Sequence, residues 1–122
     1  MYYINAISSI THQNTFNVIG LNSSLEALEK DSELVKPNYK EFINPKSLRR
    51  MSQIIRMALT NSIYCINKTE AVIDGIIVGT GLGCLTDTAK FIHNFMTIEG
   101  LVPPTSFIQS THNTIAGQIS LY

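Results

Sequence analysis

The residues that could do chemistry lie around one glycine-rich loop. Gly79, Gly81 and Gly83 follow an apolar run, and Cys84 comes directly after them, at the predicted start of a helix. A cysteine at a helix N-terminus can have a lowered thiol pKa, which is what a nucleophile needs. However, no basic partner lies within sequence reach, and small buried cysteines are common. We therefore assign Cys84 no catalytic role.

The same loop could instead bind a phosphate group, since dinucleotide-binding proteins carry a glycine-rich turn between a strand and a helix. Their third glycine would stand at position 84, where this chain has cysteine, and no Lys-Ser or Lys-Thr pair follows as in a P-loop. Three glycines in five residues more often allow main chain to approach main chain closely. A small nucleotide-binding α/β module stays open as an alternative.

The histidines and cysteines show no pattern of metal binding. His12, His93 and His112 have no metal-like spacing to one another or to Cys65 and Cys84. Two cysteines in 122 residues do not form a disulfide framework either. We predict no metal site and no cofactor.

Two strands are predicted to position the glycine loop. Residues 2–10 alternate loosely between apolar and polar, and Val72–Val78 is a β-branched run typical of a strand buried on both faces of a parallel sheet. A strand–helix–strand order implies a parallel pair with a right-handed crossover. Since two strands alone do not form a stable sheet, we expect the second strand to be covered by missing sequence or by another chain.

Three or four helices complete the predicted elements. The clearest begins at Asn44-Pro45, because Asn is a favoured N-cap and Pro at the first helical position loses no hydrogen bond. Apolar residues then recur every three or four positions as far as Cys65. The other predicted helices cover about 23–30, 86–98 and the residues after 110–113.

Charge is sparse and balanced. Nine Lys and Arg residues face nine Asp and Glu, and charged residues make up 15% of the chain, against roughly 25% in typical soluble domains. The balance argues against a nucleic-acid partner. The only local basic cluster, Lys46, Arg49 and Arg50, is interpreted as the solvated end of a helix. The shortage of charge predicts that part of the surface is normally covered.

The two ends of the chain carry no targeting signal. The first residues lack the basic start of a signal peptide, and no apolar run approaches the roughly 20 residues needed to cross a bilayer. We expect a cytoplasmic protein with no membrane span.

The last helix runs in an apolar pattern as far as Tyr122. This pattern predicts a truncated domain, because natural ends are usually polar.

Three segments carry a resemblance to β-ketoacyl synthases. Residues 76–83, IIVGTGLG, resemble that family's strand and glycine loop, and residues 104–119, PTSFIQSTHNTIAGQI, resemble the segment before its nucleophile elbow. Arg50-Met51 and the following helix resemble the family's long buried helix. The STHNT-x-AG form is similar to a divergent branch, the ketosynthase-like proteins of aryl-polyene and flexirubin-type pathways. The resemblance covers residues 45–122 well and 1–44 loosely.

The resemblance implies a fold class and an activity. It implies that residues 1–122 are an incomplete α/β domain, the N-terminal part of a thiolase-like fold with two parallel strands and three to four helices. The implied activity is decarboxylative condensation of acyl thioesters on acyl carrier protein, in fatty acid, polyketide or aryl-polyene synthesis. The family's nucleophilic Cys and two histidines would follow Tyr122, so we predict no catalytic residue here and no activity in isolation. A non-catalytic, chain-length-factor-like partner subunit and a stand-alone interaction protein are alternatives.

The resemblance also implies candidate site residues. At the position of Leu82 the family has a bulky aliphatic residue that gates the acyl pocket, and at the position of Ile108 one that reaches across a dimer to the partner's pocket. Both could instead be core aliphatics. His112 and Asn113 either start the last helix or contact substrate. The implied partners are acyl carrier protein, an acyl thioester and a second subunit in a homo- or heterodimer.

Overall fold

The regular structure of the chain is helical. A computed structural model describes residues 1–18, 27 and 29–122. In chain order the elements are a 3₁₀ helix at Tyr39–Glu41 and five α-helices: α1 Pro45–Leu48, α2 Gln53–Ile66, α3 Leu85–Thr97, α4 Pro104–Ser110 and α5 Thr114–Ser120. The short helix predicted over about 23–30 falls largely outside the described residues.

The predicted α/β class with two parallel strands is wrong. Helices account for 42% of the described residues, and these residues contain no strand. A strand requires a hydrogen-bonded partner, and neither residues 2–10 nor Val72–Val78 have a ladder to any described residue. The β-branched run indicated burial on both faces, yet Ile77 is fully exposed. The core is formed mainly by the packing of helices, with Ile43 and Cys84 added from connecting segments.

The helix predicted from Asn44-Pro45 exists, but it is interrupted. The Asn44 Oδ1 atom accepts a hydrogen bond from the Lys46 main-chain N–H at 2.9 Å, and Pro45 occupies the first helical position, which confirms the predicted start. Residues 49–52 are not helical, and Ser52 is the N-cap residue of α2. The expected single helix is therefore a short α1 followed by the longer α2.

The hydrophobic core lies between α2 and α5. The buried side chains of the two helices recur at intervals of four residues, so each helix presents one continuous apolar stripe. These side chains are Ile55, Leu59, Ile63, Ile115 and Ile119. Ile43 and Cys84 complete the cluster, and Val78 packs against its edge. The predicted burial of the long helix is confirmed for one face of α2.

Helices α3 and α4 form a second pair, which meets the α2–α5 core at Cys84 and at the turn between α4 and α5. No residue within either helix is buried. They are joined by the edge-to-face rings of Phe91 and Phe107, whose centroids lie 5.7 Å apart, and by a 2.7 Å hydrogen bond from Thr88 Oγ1 to the Ser110 carbonyl. Cys84, the N-cap residue of α3, connects the pair to the α2–α5 core.

The N-terminal segment lies against α2. Phe16 packs on Phe42 and Tyr64, with ring centroids 5.5 and 5.1 Å away. The Tyr64 hydroxyl donates to Asn17 Oδ1 at 2.7 Å, and Ser8 donates to Asn61 on α2. Over the residues that the structure describes, no helix has both the length and the apolar character that a membrane crossing would need.

Candidate functional site

The glycine loop meets the turn between α4 and α5. Gly83 has a positive φ of 56°, a conformation that glycine adopts without the steric cost of a side chain, and its N–H donates to Thr80 Oγ1 at 3.0 Å. A Cβ placed on Gly83 would lie 3.7 Å from the Cβ of His112. The structure therefore brings together two of the three segments that carried the resemblance, residues 76–83 and residues 104–119. Gly79 and Gly81, in contrast, have open space around them, so the expected close approach of main chain is wrong there.

Leu82 and Ile108 are both exposed aliphatic side chains. Leu82 is 76% exposed on the glycine loop, and Ile108 is 57% exposed on α4. Ile108 lines a shallow depression of about 520 Å³, and Leu82 does not take part in its lining. The carbonyl of Ile108 accepts a 2.5 Å hydrogen bond from Thr114 Oγ1, which fixes α4 against the start of α5.

His112 and Asn113 lie at the surface between α4 and α5. Asn113 occupies the N-cap position of α5, but its side chain makes no capping hydrogen bond. It lines both the depression beside Ile108 and a larger one, of about 660 Å³, between α5 and residues 73–76. The amide is therefore accessible from two sides of the turn.

The two thiols are poorly suited to nucleophilic chemistry. Burial raises the pKa of Cys84, and the carboxylate of Asp87 raises it further, although the thiol stands at the start of α3. Burial also raises the pKa of Cys65. Nucleophilic cysteines have lowered pKa values and a basic neighbour. Burial and the neighbouring acid both disfavour the Cys84 thiolate.

Four cations gather where the turn between α1 and α2 faces α3. Arg49, Arg50 and Lys90 line a depression of about 270 Å³, and Lys46 and Arg50 line a neighbouring one of about 390 Å³. We call Lys46, Arg49, Arg50 and Lys90 the basic surface. All four side chains are exposed. No ion pair joins any of them to another described residue.

The acidic side chain of Asp87 lies beside the basic surface, and a hydrogen bond from α4 holds the turn that carries Arg49 and Arg50. Asp87 lines the smaller depression, and its Oδ2 atom is buried without a hydrogen-bond partner. Gln109 Nε2 donates to the Arg50 carbonyl at 2.6 Å, so α4 is tied to the turn that carries two of the four cations. With four cations against one carboxylate, the surface attracts anions although the whole chain is neutral. The sequence indicated Lys46, Arg49 and Arg50 as a cluster but gave no reason to add Lys90 from another helix.

A metal site finds no support in the described residues. No group of three or more His, Cys, Asp or Glu side chains comes close enough together there to hold an ion. His93 and His112 are exposed, and His12 is half-buried with its Nε2 atom unpartnered.

Comparison with known proteins gives the family of this chain. A family model described as the β-ketoacyl synthase, N-terminal domain, matches residues 22–122. The match includes α1 to α5, the glycine loop and the basic surface, and it begins within the region that we expected to match only loosely. No curated protein and no solved structure matched the chain. The chain belongs to the β-ketoacyl synthase family through this N-terminal domain.

Proposed function

We propose that this chain is a carrier-protein-binding part of a synthase that extends acyl chains by decarboxylative condensation of acyl thioesters. Family membership supports the reaction class and, at the level of the family, a partner of the acyl-carrier-protein type. The observation that carries the proposal on this chain is the basic surface. Its four cations come from three neighbouring parts of the chain and form no ion pair within the part of the chain that the structure describes.

The basic surface has the chemistry that such a partner requires. A carrier protein presents its acyl group on a phosphopantetheine arm, whose phosphodiester is an anion. The arginine guanidinium group binds phosphate and carboxylate oxygens through two parallel hydrogen bonds. Arg49 and Arg50 stand side by side on the turn after α1, and Lys90 faces them from α3. Opposite charges also accelerate encounter before any close contact is made.

We further propose that Leu82 and Ile108 contact the acyl chain or a second subunit. Their exposure supports this role over one in the core, because an aliphatic side chain that remains in water gains from any apolar cover. His112 and Asn113 lie next to them on the surface, where contact with substrate is sterically open.

The thiols of this chain are not part of the proposed chemistry. Cys84 is 3% exposed, and both thiols have raised pKa values. We expect iodoacetamide at pH 7 to label Cys84 at least about tenfold more slowly than it labels free cysteine.

The aryl-polyene branch, the non-catalytic partner role and the cytoplasmic location stay predictions from the sequence. The nucleotide-binding alternative also stays a prediction from the sequence.

Binding of phosphopantetheinylated acyl carrier protein, measured by isothermal titration calorimetry, tests the proposal. The double variant Arg49→Glu/Arg50→Glu should raise the Kd by about tenfold or more, since each reversed charge loses an attraction and adds a repulsion. The matched control is Lys30→Glu/Lys36→Glu, which makes the same charge change at exposed positions outside the basic surface. Equal weakening by both doubles, or none by either, would remove the basis of the proposal.

A further inference from the structure

The two depressions of the basic surface adjoin each other at Arg50. The smaller one, of about 270 Å³, has Arg49, Arg50 and Lys90 in its lining, and the larger one, of about 390 Å³, has Lys46 and Arg50. Gln109 also lines both, and its side chain is bonded to the Arg50 carbonyl. Arg50 therefore stands between two anion-attracting positions, each of which has at least one further cation of its own.

The smaller depression also holds hydrogen-bond donors that suit an anion. Ser52 is the N-cap residue of α2, yet its hydroxyl makes no capping hydrogen bond, and its Oγ atom is buried without a partner among the described residues. Gln53, the first residue of α2, lies in the same lining. A helix N-terminus carries partial positive charge and main-chain N–H groups that have no partner within the helix. The hydroxyl and the helix end therefore add to the attraction of the neighbouring cations.

We propose that the two depressions together bind a diphosphate group, with Arg50 between its two phosphates. One phosphate occupies the smaller depression, near Arg49 and Lys90, and accepts a hydrogen bond from Ser52. The other phosphate occupies the larger depression, beside Lys46. A guanidinium group suits the shared position, because it presents several N–H donors in a fixed plane and keeps its charge at every physiological pH.

The charge of the basic surface favours a free diphosphate over other phosphate compounds. Four cations beside one carboxylate leave an excess of positive charge that a single phosphodiester does not neutralise. A phosphodiester fills one depression and leaves the other without an anion. A nucleic acid offers a long row of phosphates, but the zero net charge of the chain gives no attraction outside the basic surface. The ligand is therefore inorganic pyrophosphate or the diphosphate of a nucleotide.

Bound diphosphate blocks the residues that we propose for docking of the carrier protein. This consequence rests on the proposed function, since Arg49 and Arg50 take part in both interactions. Diphosphate competes with the carrier protein and so lowers the rate of acyl-chain extension when it is abundant. Binding of the diphosphate itself is measured on the chain alone, so its failure and the failure of carrier binding are separate results.

Isothermal titration calorimetry without divalent cations tests the use of both depressions. Pyrophosphate should bind at least about tenfold more tightly than orthophosphate, because the second phosphate binds at a high effective concentration once the first is held. ADP identifies the source of the diphosphate: affinity equal to or above that of pyrophosphate supports a nucleotide, and lower affinity supports inorganic pyrophosphate. Equal affinities for pyrophosphate and orthophosphate, or no binding of pyrophosphate at millimolar concentration, would overturn the proposal.

Two lysine variants distinguish the depressions from each other. Lys90→Gln should weaken binding of both pyrophosphate and orthophosphate by about threefold, whereas Lys46→Gln should weaken only that of pyrophosphate. The control Lys36→Gln removes the same charge at an exposed position outside the basic surface and should change neither. Equal weakening of orthophosphate by Lys46→Gln and Lys90→Gln, or of pyrophosphate by Lys36→Gln and Lys46→Gln, would show attraction by general charge and overturn the proposal. Far-UV circular dichroism confirms that each variant is folded.

Discussion

The α2–α5 pair and the α3–α4 pair are built from similarly apolar sequence, yet they are stabilised differently. Ile55 on α2 and Ile115 on α5 are 1% and 3% exposed, whereas no residue of α3 or α4 is buried. The second pair leaves Phe95 and Met96 more than 70% exposed. It depends on one aromatic contact and one hydrogen bond between its helices.

The two helix pairs therefore contribute differently. The α2–α5 pair stabilises the fold, whereas the α3–α4 pair carries candidate recognition residues. Burying a large aliphatic side chain contributes about 1.5–3 kcal/mol, so most of the hydrophobic stabilisation resides in α2 and α5. The α3–α4 pair instead carries Lys90 of the basic surface and Ile108 of the candidate acyl contact. Elements with few buried contacts open at low free-energy cost, which suits them to rearrange when a partner binds.

The largest expected effect is that of an alanine substitution in the first pair. Ile55→Ala should lower the free energy of unfolding by about 3 kcal/mol, because it removes a fully buried side chain and leaves a cavity. The matched variant Ile92→Ala, on α3 at 50% exposure, should cost less than about 0.5 kcal/mol. Urea unfolding followed by circular dichroism measures both. Losses of similar size would show that α3 is packed as firmly as α2.

The next effect concerns two buried or half-buried threonines. Thr88 Oγ1 donates to the Ser110 carbonyl, so Thr88→Val should cost about 1–2 kcal/mol of unfolding free energy. Thr60 on α2 is fully buried, and its Oγ1 has no hydrogen-bond partner. Thr60→Val should therefore stabilise the chain by about 1 kcal/mol. Thermal or urea unfolding decides the signs, and the same sign for both variants would contradict the assigned hydrogen bonds.

A smaller effect is expected at the glycine loop, where the two pairs meet. Gly83→Ala forces a Cβ onto a residue with φ of 56° and should cost about 1 kcal/mol. Gly81 has no such constraint and no neighbour within 4 Å, so Gly81→Ala should leave stability unchanged or raise it by up to about 1 kcal/mol. Urea unfolding compares the variants. Equal losses would mean that Gly81 is constrained as well.

The helices could be predicted from sequence because their signals are local. The spacing of apolar residues from Leu48 to Cys65 and the Asn44 cap predicted the helical region that holds α1 and α2, and the predicted 86–98 helix differs from α3 by one residue at each end. Helix α4 was not predicted, although Pro104 stands at its first position, where proline is a favoured residue.

The sequence could not show that the predicted strands would lack partners, nor that Lys90 would join the basic surface. Both outcomes depend on residues that are distant along the chain. The β-branched run from Val72 to Val78 has the propensity for a strand, but a ladder also requires a second strand at bonding distance. In the same way, Lys90 joins Arg49 and Arg50 only because α3 packs beside the turn after α1. Neither neighbour can be identified from the spacing of residues along a single chain.

The smallest expected effect is a dependence of stability on alkaline pH, and it tests Cys84, the buried residue at the start of α3 that joins the α2–α5 core. Burial and the charge of Asp87 raise the pKa of Cys84 above the ordinary value of 9.0. The unfolded chain then releases this proton more readily than the folded chain, so stability falls as the pH rises above about 9. Cys65 and Tyr39 also have raised pKa values and contribute in the same direction. Urea unfolding at pH 7 to 10 under reducing conditions should therefore show a weaker pH dependence for Cys84→Ala than for the unsubstituted chain. An unchanged dependence would mean that Cys84 is solvated, and that the start of α3 does not insert into the α2–α5 core.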